Sequence, residues 1–368
     1  MKKVLILVNH DVAIYNTRRE LVEQLLADGY EVMISSPYGE RIDDLIAMGC
    51  KYLEISMKRH GTNIFEEMAL LRRYFKLIDE LKPDVVLTYN TKPNIYGGLA
   101  CRIKKVPYIA NITGLGTAVA GEGIIKDIMV RLYRSAFKTV SCVFFQNDDN
   151  LRFFLDKIIA VKKYRLLPGS GVNLDYFHPL DYPGDDTVEF LFISRIMKEK
   201  GIDLYLEAAR YIREKYPNTV FHICGFCEEA YEDKLHDMQE RGIIVYHGMV
   251  RDVRSVLSRV HCIVHPSFYP EGLSNALLEG AASARPIITT DRAGCREVVD
   301  DGVNGYLFKK RSADELIDRI ERFISLPYEE KKNMGIEGRK KVQAGFDRRI
   351  VVEKYREELL RICWGESI

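Results

Sequence analysis

No excess of either charge is present. The 368 residues carry 54 Lys and Arg against 53 Asp and Glu, a net charge of +1. So even a balance excludes a generally basic nucleic-acid binder and leaves room only for local patches. Long hydrophobic runs are missing too: the longest uncharged stretch, Val106–Gly121, has 16 residues, among them Pro107 and three glycines. It is too short and too polar to span a bilayer. Met-Lys-Lys followed by Val4–Val8 resembles the start of a signal peptide, but Asn9, His10 and Asp11 end the apolar stretch, and the expectation is a cytoplasmic protein. Cysteine is sparse and scattered, eight in all with one C-x-x-C, Cys224 and Cys227. Without a second pair or histidines at ligand spacing this excludes a zinc ribbon, and the expected state is reduced thiols. Nucleotide signatures are absent as well. There is no phosphate-loop G-x-x-x-x-G-K-[ST], no G-x-S-x-G and no D-x-D, and Gly114-Leu-Gly116 meets Val119 where a dinucleotide fingerprint needs its third glycine.

What is present is a repeated α/β pattern in a chain that is 47% apolar and long enough for two domains. Val4–Val8 reads as a buried parallel strand, and Thr17-x-x-Glu20 as a capping box opening a helix that ends near Gly29. Strands at 31–35, 85–88 and 108–112 alternate with helical spacing at 65–81 and 95–103. Pro168–Gly184, rich in Pro, Gly and Asp, reads as a linker, after which the alternation resumes with strands at 188–193, 220–224, 243–246, 262–264 and 286–290. Helices are expected at 202–215, 253–260, 275–284 and 313–325. The expected architecture is two doubly wound Rossmann-like domains, 1–168 and 169–345, facing a cleft, with a helix in 346–368 crossing back to the first domain. Charge is split between the halves: residues 1–170 hold 25 basic and 19 acidic side chains, the remainder 29 and 34.

The chemistry-bearing residues cluster in the second half. Arg195 and Lys200 follow the strand 188–193. Glu271-Gly272-Leu273-Ser274-Asn275 leads into a helix carrying Glu279, and the amides of 273–275 are expected to be free donors at a helix N-terminus, suited to phosphate. Glu279 can accept the two hydroxyls of a ribose. With Ala284-Arg-Pro-Ile-Ile-Thr-Thr-Asp291, then Gly294-Cys-Arg-Glu297, Asp301-Gly302 and Asn304-Gly305, this stretch resembles the donor domain of retaining GT-B glycosyltransferases of glycosyltransferase family 4. The resemblance implies that Arg195 and Lys200 bind the donor diphosphate, Glu271 the sugar hydroxyls and Glu279 the ribose. Met249 and Val250 follow Gly248 where family members line the base pocket. It also implies a UDP-sugar donor and no cofactor or metal; the absent D-x-D agrees with the latter.

In the first half, Asn111-Ile-Thr113-Gly114-Leu-Gly116 resembles members that extend undecaprenyl-diphosphate-linked oligosaccharides, N-acetylgalactosaminyl- and galactosyltransferases among them. A Gly-Gly loop common after the first strand is replaced by Asn9-His10-Asp11. Thr113, Gly114, Gly116 and His10 become acceptor candidates, with Arg59 and Lys92 for an acceptor diphosphate. The segment 124–137 is amphipathic, with Lys126, Arg131, Arg134 and Lys138 mainly off its apolar stripes, and is expected to rest on the anionic inner face of the cytoplasmic membrane. The competing readings are a sugar-nucleotide epimerase, which forms product from donor alone, and a non-catalytic nucleotide-sugar-binding subunit, which binds without turnover.

Overall fold

A computed structural model describes residues 1–57, 63–114, 123–157, 163–309 and 311–365. The chain divides into two compact units, one of Met1–Gly171, Pro270–Leu273 and Arg348–Ile368, the other of Val172–Tyr269 and Ser274–Asp347.

Among the described residues, the first unit has a seven-stranded sheet. Its strands are β1 Lys3–Leu7, β2 Glu31–Ser36, β3 Lys51–Glu54, β4 Val85–Tyr89, β5 Tyr108–Ile112, β6 Cys142–Phe145 and β7 Tyr164–Leu166, all paired in parallel in the order 3-2-1-4-5-6-7. β4, β5 and β6, and β1 from Val4 on, are buried and mostly apolar because helices cover both sides. On one face lie α1 Asp11–Ala27 and α2 Ile42–Ala47, with Ile14, Leu21 and Ile42 buried against Val4, Ile6 and Val85. On the other lie α3 Ile64–Leu81, α4 Gly98–Lys104, α5 Ile124–Ala136 and α6 Asp148–Lys157, whose Tyr74, Cys101, Tyr133 and Phe154 pack on Leu5, Val86 and Val143.

α1 starts at Asp11, six residues before the expected capping box. His10 is its N-cap, accepting the Ala13 amide at Nδ1 (3.3 Å). Thr17 lies inside the helix and donates its hydroxyl back to the Ala13 carbonyl, the interior habit of threonine. Glu20 faces Arg348 instead of a helix terminus.

The second unit has, among the described residues, a six-stranded parallel sheet. Its strands are β8 Val188–Ile193, β9 Thr219–Cys224, β10 Val245–Tyr246, β11 Cys262–His265, β12 Ile287–Thr290 and β13 Gly305–Phe308, in the order 10-9-8-11-12-13. Helices α7 Ile202–Lys215, α8 Glu232–Glu240, α9 Arg254–Leu257, α10 Asn275–Ala282, α11 Ala313–Ser325 and α12 Tyr328–Gly345 accompany it. Both sheets reverse strand order once, between β1 and β4 and between β8 and β11. In doubly wound sheets ligands bind beyond the carboxyl ends of the strands at such a reversal.

The last helix, α13 Arg348–Trp364, packs in the first unit, with Val351, Tyr355 and Leu359 buried in the core beside β1 and β4. Arg348, 7% exposed, bridges Glu20 at 2.8 Å and the Gly171 carbonyl at 3.1 Å. The Tyr355 hydroxyl lies 3.0 Å from that of Tyr89 and donates to Asn111. These bonds satisfy buried polar groups that would otherwise be costly.

Candidate active site

β8 and β11 are the two strands at the reversal in the second unit, and the loops after them carry the site. After β8, Ser194 to Lys200 runs into a 3₁₀ turn, Lys198–Lys200. Backbone bonds fasten this loop to its neighbours: Ile196 N–H to the Phe226 carbonyl (2.8 Å), and the Phe268 N–H to the Glu199 carbonyl (2.7 Å). The second bond brings in Tyr269 from the loop after β11. Its ring lies 5.1 Å from the Arg195 guanidinium carbon and 4.9 Å from the Lys200 ammonium, so one aromatic carries both cations. Lys200 is only 6% exposed. Arg195 also pairs with Glu228 at 3.2 Å. Burial works against the Arg195 charge, but Tyr269 and Glu228 outweigh it and its pKa is raised. The two cations read from the sequence are thus brought together. Tyr269 and Glu228 were not anticipated: an aromatic and an acid in a loop carry no signal until the fold sets them beside a cation.

α10 begins beyond β11. Ser274 is its N-cap residue without a side-chain cap bond, and its hydroxyl lies 3.3 Å from His265 Nε2. The expectation of free amides across 273–275 is corrected at Ser274, whose N–H donates to the Gly294 carbonyl at 2.8 Å. Asn275 Oδ1 is buried without a hydrogen-bond partner, and Glu279 sits half-buried one turn on.

Met249 is 66% exposed, which disposes of simple core packing as its role. Gly248 accepts the Gly225 amide at 2.8 Å, at the end of β9. Behind this loop lies a polar cluster with no spacing signal in the sequence. His222 Nε2 is 2.6 Å from Glu189 Oε2, and His222 Nδ1 is 2.9 Å from His247 Nε2. A carboxylate only accepts, so the hydrogen of the shorter contact lies on His222 Nε2. Burial, then His222 and Arg259, hold His247 below the ordinary histidine value. Burial does the same to His261, whose Nδ1 accepts the Glu189 amide at 3.0 Å. Depressed native values mean that the unfolded chain takes up these protons first, so stability is lost as pH falls through about 6.5, the ordinary histidine value. The urea midpoint should fall between about pH 7 and about pH 5, above the range where carboxylates begin to protonate. It should fall less in His247→Asn/His261→Asn. An equal slope in wild type and variant would remove the histidines as the cause.

In the first unit, Pro270–Leu273 packs on the carboxyl ends of β5 and β6. Asn147 Nδ2 donates to the Glu271 carbonyl at 3.0 Å and to that of Gly272. A Cβ on Gly272 would stand 2.6 Å from the Thr113 carbonyl oxygen, so only glycine permits this approach. Gly114 lies against Pro270, the position of its missing Cβ being 2.9 Å from the Pro270 carbonyl oxygen. Thr113 and Gly114 are therefore gathered beside the segment that carries Glu271. Lys92, expected to meet an acceptor diphosphate, forms an ion pair with Glu67 at 2.6 Å. His10 is a helix cap, as above. Arg59 and Gly116 lie outside the described residues.

Two family models match the chain: "Glycosyl transferases group 1" over residues 183–341 and "Glycosyl transferase 4-like" over residues 3–147. The chain belongs to this family of GT-B glycosyltransferases. It is 24% identical over 364 residues, 93% of this chain and 94% of the relative, to the N,N'-diacetylbacillosaminyl-diphospho-undecaprenol alpha-1,3-N-acetylgalactosaminyltransferase of Campylobacter jejuni. It is 25% identical over 305 residues, 78% of this chain and 77% of the relative, to the UDP-Gal:alpha-D-GlcNAc-diphosphoundecaprenol alpha-1,3-galactosyltransferase of Escherichia coli. Anabaena HepE, solved in complex with UDP and glucose, superposes with a TM-score of 0.80 at 16% identity, over 98% of this chain and 99% of that one. Sucrose-phosphate synthase from Thermosynechococcus elongatus also gives 0.80 at 16% identity, over the full length of both chains.

Proposed function

We propose that this protein is a retaining glycosyltransferase. It moves a hexose or N-acetylhexosamine from a UDP-sugar to a polyprenyl-diphosphate-linked saccharide in surface glycan biosynthesis, at the inner face of the cytoplasmic membrane. The observation that carries the reading is the convergence of Arg195 and Lys200 on Tyr269 at the strand-order reversal. Breaking the anomeric C–O bond leaves charge on the departing diphosphate. Two fixed, largely buried cations stabilise that charge without reorganising, each contributing about 3–4 kcal/mol to the transition state. Glu271 holds the sugar hydroxyls and Glu279 the ribose, while Met249 and Val250 flank the base. Retention follows from same-face attack assisted by the departing phosphate, so neither glutamate takes a glycosidase role. No metal is needed, because the two cations take its place. The acceptor side uses Thr113 and Gly114. The lipid-linked substrates in both relatives' names support the acceptor class, and Lys126, Arg131, Arg134 and Lys138 provide the membrane contact.

Purified protein should release UDP from one UDP-sugar in a screen across UDP- and GDP-sugars, faster with a lipid-linked acceptor and equally in EDTA. A complete, Mg²⁺-reversible loss in EDTA would overturn metal independence. An epimerised sugar formed from donor alone would point to an epimerase, and UDP binding without turnover to a non-catalytic subunit.

A further inference from the structure

The four cations assigned above to the membrane do not form a uniform surface. Lys126, Arg131 and Arg134 from α5 and Lys157 at the end of α6 line one cavity of about 490 Å³. That volume lies within the roughly 300–1,000 Å³ of pockets that hold small ligands. Asp127 is the one acid in its lining among the described residues. Arg134 donates to the Lys157 carbonyl at 2.6 Å, which ties the two helices together across the cavity and caps the end of α6. Lys126 is drawn over the Phe153 ring at 5.7 Å. Lys138, counted with this group from the sequence, lies in the turn Phe137–Thr139 beyond α5 and does not line the cavity; Lys157 takes the fourth place. Solvated like charges gain by spreading apart, so four converging on one cavity against a single carboxylate suit an anion.

The same helical layer exposes apolar side chains. At the start of α3, Phe65 is 83% and Ile64 70% exposed; on α5, Ile128 is 50% exposed. α3 leads into β4 and α5 towards β6, so both helices begin at the carboxyl edge of the sheet. A free phosphate would use the cavity and leave Ile64 and Phe65 in water. A bilayer uses both.

We propose that the cavity between α5 and α6 seats the phosphate headgroup of an anionic phospholipid while Ile64 and Phe65 enter the adjoining acyl region. This rests on the reading of a lipid-linked acceptor and turns a diffuse electrostatic contact into a defined site. The test is flotation of the full chain with phosphatidylcholine vesicles, with and without phosphatidylglycerol. Wild type should float only with phosphatidylglycerol. Arg131→Gln/Lys157→Gln should weaken binding about thirtyfold, two charges at about 1 kcal/mol each. The charge-matched control Lys82→Gln/Lys105→Gln, at exposed lysines outside the cavity lining, should weaken it much less. Phe65→Ser should loosen the salt-resistant part of the binding. Thermal unfolding of each variant checks that the fold is intact. Equal losses in the two double variants would mean a diffuse surface and overturn the site. Release by inorganic phosphate at constant ionic strength would mean a free-anion site and overturn the lipid occupant. Transfer by wild type to a short-chain acceptor without vesicles reports on the functional reading separately: flotation as expected with no transfer defeats that reading alone, and transfer with no flotation defeats this one alone.

Discussion

Replacing Arg195 or Lys200 by alanine should lower turnover by about a hundredfold or more while the protein stays folded. On the proposed reading both charges act where negative charge grows as the sugar–phosphate bond breaks, so their loss raises the barrier more than it weakens ground-state binding. Their geometry adds a distinction between them. Lys200, 6% exposed, is held in a 3₁₀ turn whose backbone is bonded to the Tyr269 loop, and Arg195 pairs with Glu228 at 3.2 Å. Lys200→Ala therefore removes a buried cation from Tyr269, and Arg195→Ala removes the cation that pairs with the Glu228 carboxylate. The arginine variant should lose donor affinity as well as turnover, and Arg195→Ala/Glu228→Gln should recover part of that affinity. Steady-state kinetics with calorimetry of UDP binding separates the two. Near wild-type turnover in both single variants would mean that the donor site lies elsewhere.

Gly201→Ala should abolish donor binding and lower stability by about 2–6 kcal/mol. Backbone strain is worth about 1–3 of this and overpacking a similar amount. Gly201 has φ +81°, and a Cβ there would stand 2.0 Å from the Pro266 carbonyl oxygen. It directly follows Lys200, and Pro266 opens the loop that leads to Tyr269 and α10. The added methyl group therefore forces apart the two loops whose contact builds the cation pair. Gly184→Ala is the control, since nothing lies within 4 Å of a Cβ at that position. Urea unfolding and UDP calorimetry read the two effects. A Gly201→Ala protein with wild-type midpoint and affinity would show that the loops are not held by this contact.

The alternating architecture was legible because its signal is local. Parallel strands covered on both faces are mostly apolar, as Val188–Ile193 and Tyr108–Ile112 are apart from Glu189 and Asn111, and the helices between them repeat at their own period. Short or polar elements escaped: Lys51–Glu54 at the sheet edge and Tyr164–Leu166 are half-exposed and carry no apolar run. The capping box misled because Thr-x-x-Glu also occurs inside a helix, and only Arg348, 328 residues away in sequence, explains Glu20.

Arg195, Lys200 and the Glu271–Glu279 stretch stood out because loops after buried strands in this pattern carry ligand chemistry, and the family resemblance gave them roles. The sequence by itself determined the fold class and the repetition of one α/β unit, since each follows from residue type and short-range spacing. Tertiary structure alone decided that Tyr269 gathers the two cations, that Glu67 engages Lys92, that Gly294 takes the Ser274 amide, and that Lys157 rather than Lys138 completes the basic cavity. The reason is physical: a side chain's partner depends on which strands become neighbours, and in a parallel sheet neighbours are separated by whole helices, so no local pattern encodes the pairing.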